Sequence, residues 1–128
     1  MGLPEIRVGI PSVIEAALLP SLVGPGRAAE LLLTGESIAA PRALEWGLVN
    51  RVAPPDRLEA VTSELVGRIT DCAPTAVRLQ KELIVHWRNT DLRSAIAYGI
   101  NAFAQAYATG EPREAMEAFL QKRKPKFE

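Results

Sequence analysis

Cysteine and histidine are nearly absent: the 128 residues hold one of each, Cys72 and His86. A lone cysteine closes no internal disulfide, and no Cys/His cluster offers the spacing of a structural zinc site, so no metal and a reducing, cytoplasmic setting are expected. An excess of either charge is also lacking. Fifteen basic and fifteen acidic residues cancel, leaving no overall field to recruit nucleic acid or an anionic membrane, so any anion site must be local. No apolar run reaches membrane-spanning length, and the start MGLPEIR carries Glu5 instead of a basic region followed by a sustained apolar stretch. A soluble chain without a membrane partner is the expectation. A phosphate-cradling glycine loop is missing too. His86 has no Ser/Asp or Cys partner at a recognised catalytic spacing and reads as a helix-surface or interface residue, while Cys72 reads as a small core residue near a helix end.

What is present is apolar periodicity. Hydrophobic residues make up 48% of the chain, and from Ser12 onward they recur at helical spacing, with Pro and Gly at the joints. Ser12 is placed to cap a helix containing Val13, Ala16 and Ala17, ended by Pro20 or Gly24. A second helix is predicted over residues 27–33. Pro41 suits a first helical turn and Gly47 the left-handed residue after the last one. Leu58, Val61, Leu65 and Ile69 share a helical face; Ala76, Val77, Leu83, Ile84 and Trp87 mark another helix. Leu92, Ile96, Ile100, Phe103 and Tyr107 form a longer stripe begun by Thr90 or Asp91. Pro112 opens a last helix, with Glu111 and Glu114 near its first turn and Lys122, Arg123 and Lys124 at its end, complementing the helix dipole. Only IRVG and LVNRV read as short strands, and two strands far apart in sequence make no sheet by themselves.

In unbroken order along the chain come PEIRVG, a proline-containing turn, ALLPSLVG, AAELLLTGESIAAPRALEWGLVNRVAPPDRL and EAMEAFLQKRKPKF. This order resembles the second half of the crotonase superfamily, the enoyl-CoA hydratases and isomerases. The most specific part is LTGESIAAPRALEWGLVNRV, in which Thr34, Gly35, Ile38, Ala39, Ala43, Gly47, Leu48 and Val49 fall at the family's spacing. The resemblance implies an α/β crotonase-like fold of which this chain is the mainly helical C-terminal half, with one or two short strands. Residues 1–56 would be the C-terminal part of the core, and residues 57–128 a helical oligomerisation region with a basic tail, packing copies into trimers or dimers of trimers.

It also implies a substrate, an acyl-CoA thioester, and no tightly bound cofactor beyond the coenzyme A that the substrate carries. The Pro-Glu of PEIRVG is where family hydratases keep one of two catalytic glutamates, here Glu5. Adding water across a 2-enoyl thioester needs one group to deprotonate the water at C3 and one to protonate C2, while fixed donors meet the charge on the thioester oxygen. A carboxylate in a partly apolar pocket has a raised pKa and suits either job. A single acid can also carry a proton between C2 and C4, as family isomerases do. By residue type alone, Glu5 reads as a solvated or capping acid before a strand.

Three departures bear on that assignment. The family's first half supplies both oxyanion-hole N–H groups and the other hydratase glutamate. Where many hydratases have a glycine-rich turn, this chain has GIPSVIEAALLP, so Val13 and Ile14 would narrow the acyl pocket. Glu15 is either an exposed helical acid or an extra polar group facing that pocket. In the tail, the resemblance brings Phe119 and Lys122 to the coenzyme A of a neighbouring subunit, one stacking on adenine and the other meeting a phosphate. Otherwise Phe119 packs with Met116 and Leu120 while the cations favour a helix end. Two classes remain: half of an acyl-CoA hydratase or isomerase, or a truncated, non-catalytic helical oligomerisation module without an oxyanion hole.

Overall fold

The structure, a computed structural model, describes residues 1–127, and among them every regular element is helical. A 3-10 turn over Pro4–Val8 is followed by another over Glu15–Leu18, which runs into helix α1 (Leu19–Val23). Then come α2 (Pro25–Thr34), α3 (Ala40–Glu45), a 3-10 turn at Pro55–Arg57, α4 (Leu58–Thr70), α5 (Pro74–Trp87), α6 (Leu92–Tyr107) and α7 (Glu111–Leu120). The chain divides into two compact units, Met1–Glu59 and a second beginning at Ala60.

Neither expected strand forms among the described residues. The IRVG segment lies in the first 3-10 turn, which Pro4 opens and Gly9 ends in the left-handed conformation, φ 83°. LVNRV, residues 48–52, is irregular. Its first amides bond back onto α3, Leu48 N–H to the Ala43 carbonyl at 2.8 Å and Val49 N–H to the same oxygen at 3.4 Å. Gly47, φ 75°, makes that reversal at no side-chain cost. The physical reason for both corrections is the same. A strand's N–H and C=O groups need a neighbouring strand, and where none pairs with them the segment satisfies its backbone locally. Strand-like pairing survives at one point, where Met1 and Ile38 exchange backbone hydrogen bonds of 2.9 and 2.7 Å.

In the first unit Leu19, Val23, Ala28, Leu31 and Trp46 form the core, flanked by Leu3, Leu32, Ile38 and Leu48. Two cations lie over Trp46, the Arg27 and Arg42 guanidinium carbons 5.3 and 5.6 Å from its ring centroid. Arg7 Nε donates to the Thr34 carbonyl at 3.1 Å, tying the first turn to the end of α2.

In the second unit α5 and α6 pack through small residues: Gly99, Ala102 and Ala106 of α6 face Ala76, Leu79 and Leu83 of α5. Asp91 is the N-cap of α6, accepting the Ser94 N–H at 3.1 Å. The apolar stripe of α6 only borders α5, Phe103 at the edge of this contact and Leu92 and Ile96 beside Trp87, and Leu92, Ile96, Ile100, Phe103 and Tyr107 are all exposed. Glu111 reaches across from α7 to α5, where its carboxylate accepts Thr75 N–H at 2.9 Å and Ala76 N–H at 3.3 Å. Desolvation pushes its pKa up, but those amides together with Arg78 hold it below the ordinary glutamate value. It thus caps a neighbouring helix's free N–H groups. Cys72, expected inside, is exposed, its Sγ 3.3 Å from the Arg68 carbonyl. His86 lies flat against Tyr98, ring centroids 4.8 Å apart.

Candidate active site

Glu5 sits half-buried in the first 3-10 turn. Ser12 Oγ donates to its Oε2 at 2.7 Å, and its backbone carbonyl accepts the Ile10 N–H at 3.2 Å. Gly9 and Pro11 fold the chain between these residues so that a side chain seven positions on reaches back. Ser12 does not cap a helix as its position suggests. The helix begins three residues later with Ile14 as its N-cap and no capping side chain, and the serine hydroxyl serves the glutamate. The Ser12 hydrogen bond, aided by the residue's own amide, holds the Glu5 carboxyl below its ordinary pKa. This is opposite to the raised value that an apolar pocket would give. The difference arises from a donor aimed at the ionised form of a group that burial barely touches. Glu5 is therefore a carboxylate at neutral pH, oriented by Ser12 at the cost of some basicity.

Replacing Ser12 with Ala removes the largest cause of that shift. The Glu5 titration midpoint in Ser12→Ala is expected to rise toward the ordinary 4.5, read from the side-chain carboxyl ¹³C shift against pH. A midpoint unchanged from wild type would assign the shift to another group.

Beside this turn the first unit holds a cleft of about 250 Å³ walled by Leu3, Leu18, Leu19, Leu22, Leu31 and Ile38, with Glu15 also on its wall. Glu15 is exposed on its turn and borders this apolar cleft. Val13 and Ile14 do not line it; they are exposed. The walls are aliphatic, suited to a hydrocarbon chain and not to a polar ligand.

The tail residues lie in the second unit. Phe119 is 82% exposed and so does not pack against the described residues; the residue α7 buries is Ala118. Met116 and Leu120 are exposed alongside it. The basic run does not form the end of α7. The helix stops at Leu120, before it, and Lys122 adopts a left-handed backbone, φ 53°. Arg123 forms a two-pronged ion pair with Glu114, Nη1 to Oε1 at 2.6 Å and Nη2 to Oε2 at 2.9 Å. The Lys126 N–H adds a third donor to Glu114 Oε1 at 2.6 Å. These contacts lower the Glu114 pKa to about 2, the Arg123 hydrogen bonds first among the causes. This clamp is not legible in the sequence, because the spacing of nine between Glu114 and Arg123 belongs to no helical pattern. Among the described residues no His/Cys/Asp/Glu group is arranged to hold a metal ion.

The family model described as Enoyl-CoA hydratase/isomerase matches residues 1–128. The chain belongs to the enoyl-CoA hydratase/isomerase family. Its relatives include a short-chain-enoyl-CoA hydratase of Clostridium acetobutylicum, 38% identical over 124 residues that make up 96% of this chain and 48% of the relative. A crotonyl-CoA hydratase of Syntrophomonas wolfei is 40% identical, with 98% of this chain and 49% of the relative covered. Among solved structures, an enoyl-CoA hydratase from Bacillus anthracis superposes with a TM-score of 0.95 at 36% identity, over 98% of this chain and 49% of that one. This enoyl-CoA hydratase/isomerase-family chain thus spans about half the length of the relatives it matches, and its helices are those of a crotonase-like fold.

Proposed function

We propose that this chain is the second half of an enoyl-CoA hydratase/isomerase-family protein that acts on acyl-CoA thioesters, with Glu5 moving the proton. The observation that carries this reading is the family match from end to end at about half the relatives' length. The reaction passes through a thioester enolate. In hydration, a base takes a proton from water as its oxygen bonds to C3, the C2=C3 electron pair moves toward the thioester, and C2 then receives a proton. In isomerisation, one carboxylate takes a proton from C2 of a 3-enoyl thioester and returns it at C4. Both sequences open with a base, and the Glu5 carboxylate, oriented by the Ser12 hydroxyl, is the group offered for it. The aliphatic cleft fits the acyl chain, and Glu15 at its wall would bias it against the bulkiest apolar tails.

Phe119 and Lys122 are the coenzyme contacts in this reading: an exposed ring for adenine and an ammonium for phosphate. The protein works as a homo-oligomer, a trimer or dimer of trimers, in the cytoplasm, with no tightly bound cofactor.

The oxyanion donors and second carboxylate come from the half of the family's length that this chain does not span. The purified 128-residue chain is accordingly expected to hydrate crotonyl-CoA negligibly, since each oxyanion donor contributes on the order of 3 kcal/mol to the barrier reduction. Co-expression with the first half of a hydratase relative should restore turnover. Robust turnover by the chain alone would overturn the reading, as would a folded, co-purifying pair of halves without activity on any acyl-CoA.

A further inference from the structure

Two helices of this chain end in the same hydrogen-bond pattern. At α3, Gly47 N–H bonds to the Leu44 carbonyl at 3.0 Å and Leu48 N–H to the Ala43 carbonyl at 2.8 Å. At α7, Lys122 N–H bonds to the Phe119 carbonyl at 3.1 Å and Arg123 N–H to the Ala118 carbonyl at 3.0 Å. This double bond-back requires a left-handed residue, and glycine is its usual occupant. Gly47 fills it in α3; in α7 it is filled by Lys122, the one non-glycine residue with positive φ among those described. A Cβ in that conformation is strained. The side chain that tolerates the strain is the same cation that, in the proposed function, meets a coenzyme phosphate.

The residues on either side of Lys122 carry restraints that hold the turn closed. The Glu114 carboxylate takes both terminal nitrogens of Arg123 and the Lys126 amide. Arg123 Nε donates to Gln121 Oε1 at 2.8 Å and its Nη1 to the Lys124 carbonyl at 3.2 Å. Lys124 Nζ bonds Asp71 Oδ2 at 3.1 Å. Residues 121, 123, 124 and 126 are all tied back, whereas the Lys122 ammonium has no hydrogen-bond partner among the described residues. A strained backbone over-determined by its surroundings is the pattern of a residue kept for what its side chain does.

We propose that Glu114, through Arg123 and the Lys126 amide, is a positioning residue that holds Lys122 in its left-handed turn and so directs its ammonium to the phosphates at the nucleotide end of coenzyme A. This rests on the reading of Lys122 as a coenzyme contact. It makes Lys122 a residue retained against stability and Glu114 a residue that acts without touching the ligand.

The test compares coenzyme A with pantetheine, which lacks the nucleotide, by calorimetry on the chain co-purified with the first half of a hydratase relative, with thermal melts of each variant. Wild type is expected to prefer coenzyme A. Lys122→Ala and Glu114→Gln should each cut that preference about tenfold, as for one hydrogen bond to a charged group, and the double variant should lose no more than either. Lys122→Gly should lose the same preference yet melt at a higher temperature than wild type, a combination that a merely structural lysine would not give. If Glu114→Gln unfolds α7, Arg123→Lys, which keeps the charge but not the paired geometry, takes its place. A Glu114→Gln chain that prefers coenzyme A as wild type does, while Lys122→Ala does not, overturns the positioning role alone. A Lys122→Gly chain that melts lower than wild type also overturns it. No preference in wild type, or an unaltered one in Lys122→Ala, overturns the coenzyme-contact reading itself.

Discussion

Glu5→Gln, in a protein completed to the family's full length, lowers the turnover of a 2-enoyl thioester by about 10²–10⁴-fold with little change in KM. The expectation rests on how little else the substitution alters. Glutamine has nearly the volume of glutamate, and its amide oxygen still accepts the hydroxyl of Ser12 that now lies 2.7 Å from the Glu5 carboxylate. Glu5 is only half-buried in a 3-10 turn and contributes to no core cluster, so the fold has little reason to respond. What disappears is the capacity to take a proton, and a loss confined to kcat identifies an interaction made in the transition state. Steady-state kinetics on crotonyl-CoA reads the result. Wild-type turnover in Glu5→Gln would make the residue structural and leave the Ser12 hydrogen bond as a turn-closing device.

The same glutamate marks the limit of what sequence carries. The Pro-Glu motif is legible as a family position, but its partner is not, because a serine ahead of an apolar run has the signature of a helix cap. Only the fold shows that the Gly9 to Pro11 reversal turns Ser12 toward Glu5 and lowers its pKa. Helices α2 to α7 keep closely to their proline and glycine punctuation, since those residues act through local sterics. The two short strands mislead for the opposite reason: strand formation depends on a partner, and alternating aliphatics such as Ile6 and Val8 state a preference without supplying one. The tail misleads because four cations after a helix complement its dipole on paper. In the structure α7 ends first, and the Arg123 charge is neutralised by Glu114.

The α6 stripe shows how a correct period can conceal which face is used. Leu92, Ile96, Ile100, Phe103 and Tyr107 recur as an amphipathic helix requires, yet α5 meets α6 mainly at the smaller residues Gly99, Ala102 and Ala106, with only Phe103 of the stripe at the edge. The large side chains stay outside, Leu92 77% and Phe103 65% exposed. Five large apolar residues in one row along a helix exceed what a soluble monomer usually leaves in water. We propose a second copy of this chain as the occupant, since a self-complementary apolar row buries itself by symmetry.

The chain is accordingly expected to sediment as an oligomer at micromolar concentration, and the double substitution Ile96→Glu/Ile100→Lys to sediment as a monomer. That pair separates association from folding. Glutamate with lysine four residues later supports a helix, and both residues have better helix propensity than isoleucine. Ile100 lies outside the α5 contact and Ile96 only borders Trp87, both being more than half exposed, so α6 should keep its ellipticity. An interface closing over these positions would have to desolvate two charges, at a cost of several kcal/mol and hence a dissociation constant raised by at least about 10²-fold. Sedimentation velocity with circular dichroism on the same samples decides it. A wild-type chain that stays monomeric across the micromolar range overturns self-association, and a double variant that still assembles moves the interface off α6.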